Sequence, residues 1–211
     1  MKKIMFDDRY GLTKAVLEGR KTMTRRIVPE CRELDVLRRW EHNEGASATG
    51  YEEHTYSFRF DYCPDKKRRI SIDHLNLIPS YKVGEVVAVA QRYKDIRDII
   101  GDIQDGKSIK SMAGWNNKMF VSADLMPYQI RITNVRIERL QDISDEDCLR
   151  EGIFWDYGDY PYMATKMYKY NEKEEYIHPK VAFAALIDKV SGKGTWESNP
   201  WVFVYEFELV K

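Results

Sequence analysis

The sequence lacks a long apolar run. Residues 1–10 contain no stretch of about seven apolar residues, and no segment approaches the roughly 18 apolar residues that a membrane span needs. These absences argue against a secretory signal and against membrane insertion. We therefore expect a cytoplasmic protein with no membrane partner.

The chain also carries no formal net charge, because 34 lysines and arginines are balanced by 34 aspartates and glutamates. A chain of zero formal charge has no overall positive field of the kind that drives strong non-specific binding to nucleic acid. Any contact with nucleic acid must therefore be local. The balance favours a small ligand or a short recognition element over tight, extended RNA binding.

Cysteine is scarce, with Cys31, Cys63 and Cys148 as its three occurrences. An odd number at wide spacing is typical of reduced thiols rather than of a disulfide framework. Cys31 and Cys63 share one stretch of the chain with His42 and His54, but these residues lack the close Cys or His pairs of structural zinc sites. We predict no metal and no cofactor.

The chain consists of short elements separated by turn residues. Apolar residues at helical spacing, with glycine stops, predict three helices, and alternating or continuous apolar runs predict strands between them. The predicted helices cover residues 12–18, 144–151 and 181–190, and the predicted strands cover residues 20–28, 81–90, 129–140 and 201–210.

Two stretches interrupt this pattern. Residues 30–78 carry alternating runs at 55–62 and 69–72, which predict an insertion containing a β-hairpin. Residues 154–178 are rich in tyrosine without clear periodicity and predict a long ordered loop. The whole pattern predicts one domain over residues 1–211, of class α+β and mainly β.

The densest basic cluster follows the first predicted helix, where residues 19–26 read GRKTMTRR. Arginine binds phosphate bidentately, and aromatic rings stack on nucleobases. We therefore predict that Arg20, Arg25 and Arg26 contact a ligand, with Trp115 as a stacking ring. The alternative is that these cations form a solvated edge and that Trp115 packs in a core.

Residues 19–26 resemble the signature of the ASCH family, in which a glycine and a lysine after the first helix are followed by an arginine. Further blocks occur in the order typical of phage-type members of that family. The resemblance covers nearly the whole chain except residues 31–78. These further blocks are Val83-Gly84-Glu85, the strand end at residues 135–143, Glu151-Gly152 after a helix, and residues 196–207.

The resemblance implies a small PUA-like β-barrel with flanking helices, and a cleft along residues 19–26 that binds RNA or a modified nucleoside. The family includes a bacterial enzyme that hydrolyses N4-acetylcytidine with a lysine, a threonine and a glutamate. These residues fall on Lys21, Thr24 and Glu151. The resemblance thus implies that Lys21 is the base, Thr24 the nucleophile and Glu151 the acid of an amidohydrolase.

This chemistry places a geometric demand on the chain. A threonine hydroxyl needs a base, and a lysine can serve when burial or nearby cations lower its pKa. Side chains three residues apart in a regular strand point to opposite faces, so Lys21 and Thr24 converge only if the segment bends. The Thr22 hydroxyl is an alternative nucleophile. Two alternative hypotheses for the function are a non-catalytic RNA-binding or interaction module of phage or mobile-element origin, and a ribonuclease.

Overall fold

Strands are the main elements of this chain, and helices flank them. The computed structural model describes residues 1–28, 37–43, 57–62, 79–157 and 166–210. The strands are β1 (Lys3–Ile4), β2 (Met23–Ile27), β3 (Leu37–Asn43), β4 (Ser57–Tyr62), β5 (Val86–Val89), β6 (Ile103–Gln104), β7 (Lys107–Ser108), β8 (Gln129–Arg139), β9 (Phe154–Tyr157), β10 (Lys166–Lys169) and β11 (Trp201–Leu209). The helices are α1 (Leu12–Leu17), α2 (Tyr93–Ile100), α3 (Asp145–Arg150), α4 (Pro179–Ser191) and α5 (Thr195–Ser198).

These elements confirm the predicted α+β class. The three predicted helices appear as α1, α3 and α4, and the four predicted strands appear as β2, β5, β8 and β11. Within the described ranges, no helix is both long enough and apolar enough to cross a lipid bilayer.

The central sheet has five strands in the order β1-β5-β8-β11-β2. β1 runs parallel to β5, and the remaining neighbours are antiparallel. The register between β8 and β11 shifts between Glu206 and Phe207, opposite Asn134 and Ile132. The extra residue in β8 is Thr133, which forms a bulge where the apolar alternation of the sequence changes phase.

The two edges of this sheet lie close together. A flat sheet of this order would separate β1 from β2 by about 19 Å, because neighbouring strands are about 4.8 Å apart. Instead, Arg26 Nη2 on β2 donates to the Met5 carbonyl, just after β1, at 2.6 Å. The sheet is therefore strongly curved. No strand pairing joins β1 to β2 within the described residues, so this sheet is open rather than a closed barrel.

Helices α1 and α4 each bury an apolar stripe in the main core, which the sheet also lines. Burial of a large aliphatic or aromatic side chain contributes roughly 1.5–3 kcal/mol, so these stripes hold the helices in place. Both helices border the cleft beside β2 that is described below. The buried apolar residues are Leu12, Ala15 and Val16 in α1, and Pro179, Ala182, Phe183, Leu186 and Ile187 in α4.

Residues 30–78, which were predicted to be an insertion with a hairpin, contain the antiparallel strand pair of β3 and β4. The predicted run at 55–62 corresponds to β4, but its partner is β3. β3 was not predicted because its sequence, LRRWEHN, is rich in charged residues. The partner predicted at 69–72 lies outside the described residues. So do Cys31, Cys63 and His54.

The prediction of a loop over residues 154–178 is wrong at residues 154–157 and 166–169, which form β9 and β10. β9 and β10 form an antiparallel pair, in which Tyr157 stands opposite Lys166 and Phe154 opposite Lys169. A further bridge joins Tyr168 to Tyr176. Each strand is only four residues long, so too few positions alternate for a period of two to stand out in the sequence.

Candidate active site

The site centres on a buried ion pair between Lys21 and Glu151. Lys21 Nζ donates to Glu151 Oε2 and to the Glu151 carbonyl oxygen, both at 2.6 Å. Only 2% of Lys21 and 4% of Glu151 is exposed. Two of the three catalytic residues implied by the resemblance are thus in direct contact, although 130 positions separate them in the chain.

The local backbone explains how Lys21 reaches this position. After α1 the chain turns at Gly19, whose φ of +73° is a conformation that residues with side chains rarely adopt. The Lys21 N–H then donates to the Ala15 carbonyl, and the Thr22 N–H donates to the Arg150 carbonyl, both at 2.9 Å. These bonds dock the segment between α1 and β2 against the end of α3. Lys21 therefore precedes the regular strand, which begins at Met23.

An ion-pair network lies behind this pair, on one face of β2, β11 and β8. Arg25 and Arg136 both stand opposite Val204, so the alternation of side chains puts them on the same face. Asp147 in the first turn of α3 and Glu151 at its C-cap are four residues apart, a spacing that brings side chains together on a helix. The sheet supplies arginines and α3 supplies carboxylates to one interface.

Arg25 is the centre of this network. Its guanidinium lies 3.1 Å from Glu151 Oε1, 3.0 Å from Asp147 Oδ2 and 2.6 Å from Glu138 Oε1. Positive and negative groups balance within the network, so it neutralises its own buried charge. Its cations are Lys21, Arg25, Arg136 and Arg150, and its anions are Glu138, Asp147, Glu151 and Glu206.

The environment of Lys21 changes its acidity. Burial lowers the pKa of Lys21 below its ordinary value of 10.5, because the charged ammonium loses its hydration. The contact with Glu151 opposes this effect, while the positive charges of Arg26 and Arg25 act in the same direction as burial. The lowered pKa makes the Lys21 amine easier to deprotonate, which a general base requires.

A cleft of about 310 Å³ opens onto the pair at the free edge of β2, and we call it the Lys21 cleft. Its volume falls in the range of small-molecule sites, and it combines apolar walls with a few polar groups, as such sites do. The apolar wall includes Phe6, Leu12, Phe183, Leu186 and Ile187, and the polar lining includes Lys21, Thr24, Arg25, Arg26 and Glu151.

No family model, curated protein or solved structure matches this chain.

The cleft distinguishes between the two hydroxyls that the sequence leaves open. Thr24 lines the Lys21 cleft, although within the described residues its hydroxyl makes no hydrogen bond to Lys21 or Glu151. Thr22 is not part of that lining, and its hydroxyl accepts a hydrogen bond from Arg150 Nε at 3.3 Å. Of these two threonines, Thr24 is therefore the one at the cleft, where it is 5% exposed.

The predicted ligand-binding residues separate into different places. Arg26 is exposed and lines the Lys21 cleft, so it is available to a ligand. Arg25 also lines the cleft, but it is buried and its guanidinium is held by three carboxylates, so we assign it to positioning Glu151. Arg20 lines a neighbouring cleft instead. Trp115 packs half-buried beside a second apolar cluster around α2 and lines neither cleft.

Sequence reasoning missed the aromatic walls of the site. The Lys21 Nζ and the Arg26 guanidinium each lie 5.8 Å from the centre of the Phe6 ring, and the Arg25 guanidinium lies 6.0 Å from that of Phe183. Phe183 belongs to a predicted helix but carries no motif, and Phe6 falls in a stretch with no predicted element. No signal in the sequence marks either ring as part of the site.

Cys148 is the free cysteine nearest to this chemistry in sequence, and it is buried on α3. Burial raises the pKa of its thiol to about 12. Because the thiolate is the reactive form of cysteine, this side chain acts as an apolar core residue rather than as a nucleophile.

Proposed function

We propose that this protein is an amidohydrolase that removes the acyl group from an acylated cytidine, of the N4-acetylcytidine type, in the Lys21 cleft. The observation that carries the proposal is the buried Lys21–Glu151 pair, which faces a cleft that Thr24 also lines. Buried ion pairs are seldom more stable than apolar packing of the same volume. A buried lysine of lowered pKa beside a cleft is typical of a catalytic group.

The resemblance to the ASCH family supports the same reading, and we infer that the central sheet is an incompletely closed PUA-like barrel. The curvature that brings Arg26 to the Met5 carbonyl supports this inference. The family motif positions Lys21, Thr24 and Glu151 all line one cleft, as the resemblance implies.

The proposed reaction assigns one role to each polar group. The Thr24 hydroxyl attacks the acyl carbonyl carbon while Lys21 Nζ accepts its proton, which forms an ester on Thr24. The proton then passes from Lys21 Nζ to Glu151 Oε2 across their 2.6 Å contact, and the amide C–N bond breaks as Glu151 delivers it to the leaving amine of cytidine. Water then hydrolyses the ester as Glu151 accepts its proton, and that proton returns through Lys21 Nζ to the Thr24 oxygen as acetate leaves.

The walls of the Lys21 cleft suit the rest of such a substrate. The Phe6 ring and the apolar face of α4 offer surfaces against which a flat nucleobase packs. Arg26 is exposed at the same cleft and offers donors to a ribose or phosphate oxygen. Arg25 holds Glu151 from the opposite side at 3.1 Å, so the carboxyl keeps its orientation toward Lys21.

The direct test is hydrolysis of N4-acetylcytidine by the purified protein, followed by chromatographic detection of cytidine. We expect turnover by the wild type and a loss of about 10²–10⁴-fold in Thr24→Val, which removes the hydroxyl but keeps the side-chain volume. Thr22→Val is the matched control and should retain activity, because Thr22 does not line the cleft.

Two results would contradict this assignment. Absence of turnover by the wild type, over a panel of acylated nucleosides, would remove the amidohydrolase proposal. Full turnover by Thr24→Val would remove Thr24 as nucleophile and leave direct attack by water. Mass spectrometry of wild-type protein stopped during turnover should find an acetyl group on the peptide containing Thr24.

The lowered pKa of Lys21 predicts the pH dependence of this activity. Lys21 accepts a proton only as the neutral amine, so kcat/KM should rise with pH and reach half its limit below pH 10.5, the ordinary pKa of lysine. In Glu151→Gln the attraction that raises the pKa of Lys21 is lost. The residual activity of that variant should therefore rise at a lower pH than in the wild type, and a midpoint that moves to higher pH would contradict Lys21 as the base.

A second reading is a non-catalytic site for RNA or a modified nucleoside. The observation that favours it is the Thr24 hydroxyl, which lines the cleft without a hydrogen bond to Lys21 or Glu151 among the described residues. Apo geometry of this kind often tightens only when substrate binds. Binding of cytidine without hydrolysis of any acylated nucleoside would favour this reading, and cleavage of an RNA strand would favour a ribonuclease.

A further inference from the structure

A second cleft of about 420 Å³ lies directly beside the Lys21 cleft, and we call it the Arg20 cleft. Three separate chain segments each give one residue to the Lys21 cleft and the adjacent residue to the Arg20 cleft. Adjacent Cα atoms are only about 3.8 Å apart, so the two clefts are immediate neighbours along all three segments. The adjacent pairs are Leu12 and Gly11, Lys21 and Arg20, and Glu151 and Gly152.

The Arg20 cleft is lined by cations that face solvent. Arg9, Lys14 and Arg20 line it, and Glu172 is the acidic residue of its lining. Arg9 is bonded to Asp7 through Nε and Nη2, and Arg20 is bonded to Glu18 through the same two atoms. A guanidinium has five N–H donors, so each arginine keeps donors for a further anion.

These surface pairs do not prevent an anion from binding. Arg9 pairs with Asp7, and Lys14 and Arg20 both pair with Glu18. The side chains of Arg9, Lys14 and Arg20 nevertheless stay 71%, 77% and 43% exposed. Exposed pairs of this kind contribute little to stability because water screens them. A phosphate with several acceptor oxygens can therefore bind at these cations without breaking a buried contact.

Aromatic rings lie beside the same cations. Tyr10, Phe154 and Tyr170 line the Arg20 cleft. The Arg20 guanidinium lies 5.6 Å from the centre of the Phe154 ring, and the Arg9 guanidinium lies 5.4 Å from that of Tyr10. Sites that bind single-stranded nucleic acid combine positive charge for the backbone with aromatic or guanidinium planes for the bases.

We propose that the Arg20 cleft binds the nucleotide that is linked by a phosphodiester to the one in the Lys21 cleft. The substrate class is then a short single-stranded oligonucleotide carrying the modified base, rather than a free nucleoside. This inference rests on the proposed function for the ligand of the Lys21 cleft. The zero net charge of the chain fits such a short site, because no overall positive field adds to the binding of a longer strand.

Calorimetric binding of unmodified ligands tests the inference without turnover. The two probes are cytidine and the dinucleoside monophosphate of two cytidines. We expect the wild type to bind the dinucleoside monophosphate about 10–100-fold more tightly, as one added phosphate contact and one stacked base predict. The preference should shrink to a few-fold in Lys14→Ala/Arg20→Ala, with the affinity for cytidine unchanged. The control Lys107→Ala/Arg131→Ala removes equal charge from residues that line neither cleft and should keep the preference.

The results separate this inference from the proposed function. Equal affinities for the two probes in the wild type would overturn the inference, and so would a preference that survives in Lys14→Ala/Arg20→Ala. Hydrolysis of N4-acetylcytidine together with equal affinities would overturn the inference alone. A preference that is lost in Lys14→Ala/Arg20→Ala would support the Arg20 cleft even if no acylated nucleoside is hydrolysed, and only the proposed chemistry would then fail.

Discussion

Lys21→Met is expected to lower kcat/KM for N4-acetylcytidine by about 10²–10⁴-fold, the usual contribution of a general base. Methionine fills the space of the lysine stem but has no group that accepts the Thr24 proton. The affinity for the product cytidine should change little, because Phe6, α4 and Arg26 also line the cleft. Initial rates over a range of substrate concentrations, with calorimetric binding of cytidine, give both quantities.

The matched control is Lys169→Met, because Lys169 is also buried and paired with carboxylates but lines neither cleft. It should keep the wild-type kcat/KM. Lys21→Met also leaves Glu151 with Arg25 as its remaining cation, which costs stability. Lys21→Met/Glu151→Gln should recover part of that stability and stay inactive. A rate within tenfold of wild type in Lys21→Met would remove Lys21 as the base.

The sequence predicts the sheet better than it predicts the connections. β8 and β11 are long enough for their alternation to stand out, and Gly19 and Gly152 mark the ends of α1 and α3. Residues 93–128 contain α2, which was not predicted although Tyr93, Ile96 and Ile100 recur at helical spacing. They also contain several single-turn 3₁₀ segments, whose few residues give no clear period. β3 is hidden for another reason, since its charged composition is unlike that of a buried strand.

At the level of sequence, only the family resemblance predicts that Lys21 and Glu151 lie together. Their spacing in the chain carries no geometric information, and the contact depends on how α1 and α3 dock. Arg25 is a clearer case of what the sequence hides. It was predicted to bind a ligand because it lies in a basic run, but the register of β2 on β11 turns it toward α3.

One signal for this network was present in the sequence. Asp147 and Glu151 are four residues apart in a predicted helix, so both carboxylates could be placed on one face. The partners of that face could not be predicted in the same way. Glu138, Arg136 and Arg25 come together because three strands align, and alignment between strands distant in sequence is a property of the fold.

Arg25→Met is expected to lower the free energy of unfolding by about 3–5 kcal/mol, the usual effect of removing one partner from a buried ion pair. Methionine replaces the stem of the arginine but leaves Glu151, Glu138 and Asp147 each without one cationic contact. Arg131→Met is the control, because Arg131 pairs with Glu208 at 3.0 Å with 47% of its side chain exposed. An exposed pair of this kind contributes about 0–1 kcal/mol.

Urea unfolding of both variants at one pH, followed by far-UV circular dichroism, gives the comparison. The loss in Arg25→Met should persist at high salt, because buried pairs are screened much less than exposed ones. Any loss in Arg131→Met should diminish as salt is added. Similar, salt-sensitive losses in the two variants would mean that the Arg25 carboxylates are as hydrated as a surface pair. In that case Glu151 would not be held by a buried network, and the positioning role of Arg25 would have to be abandoned.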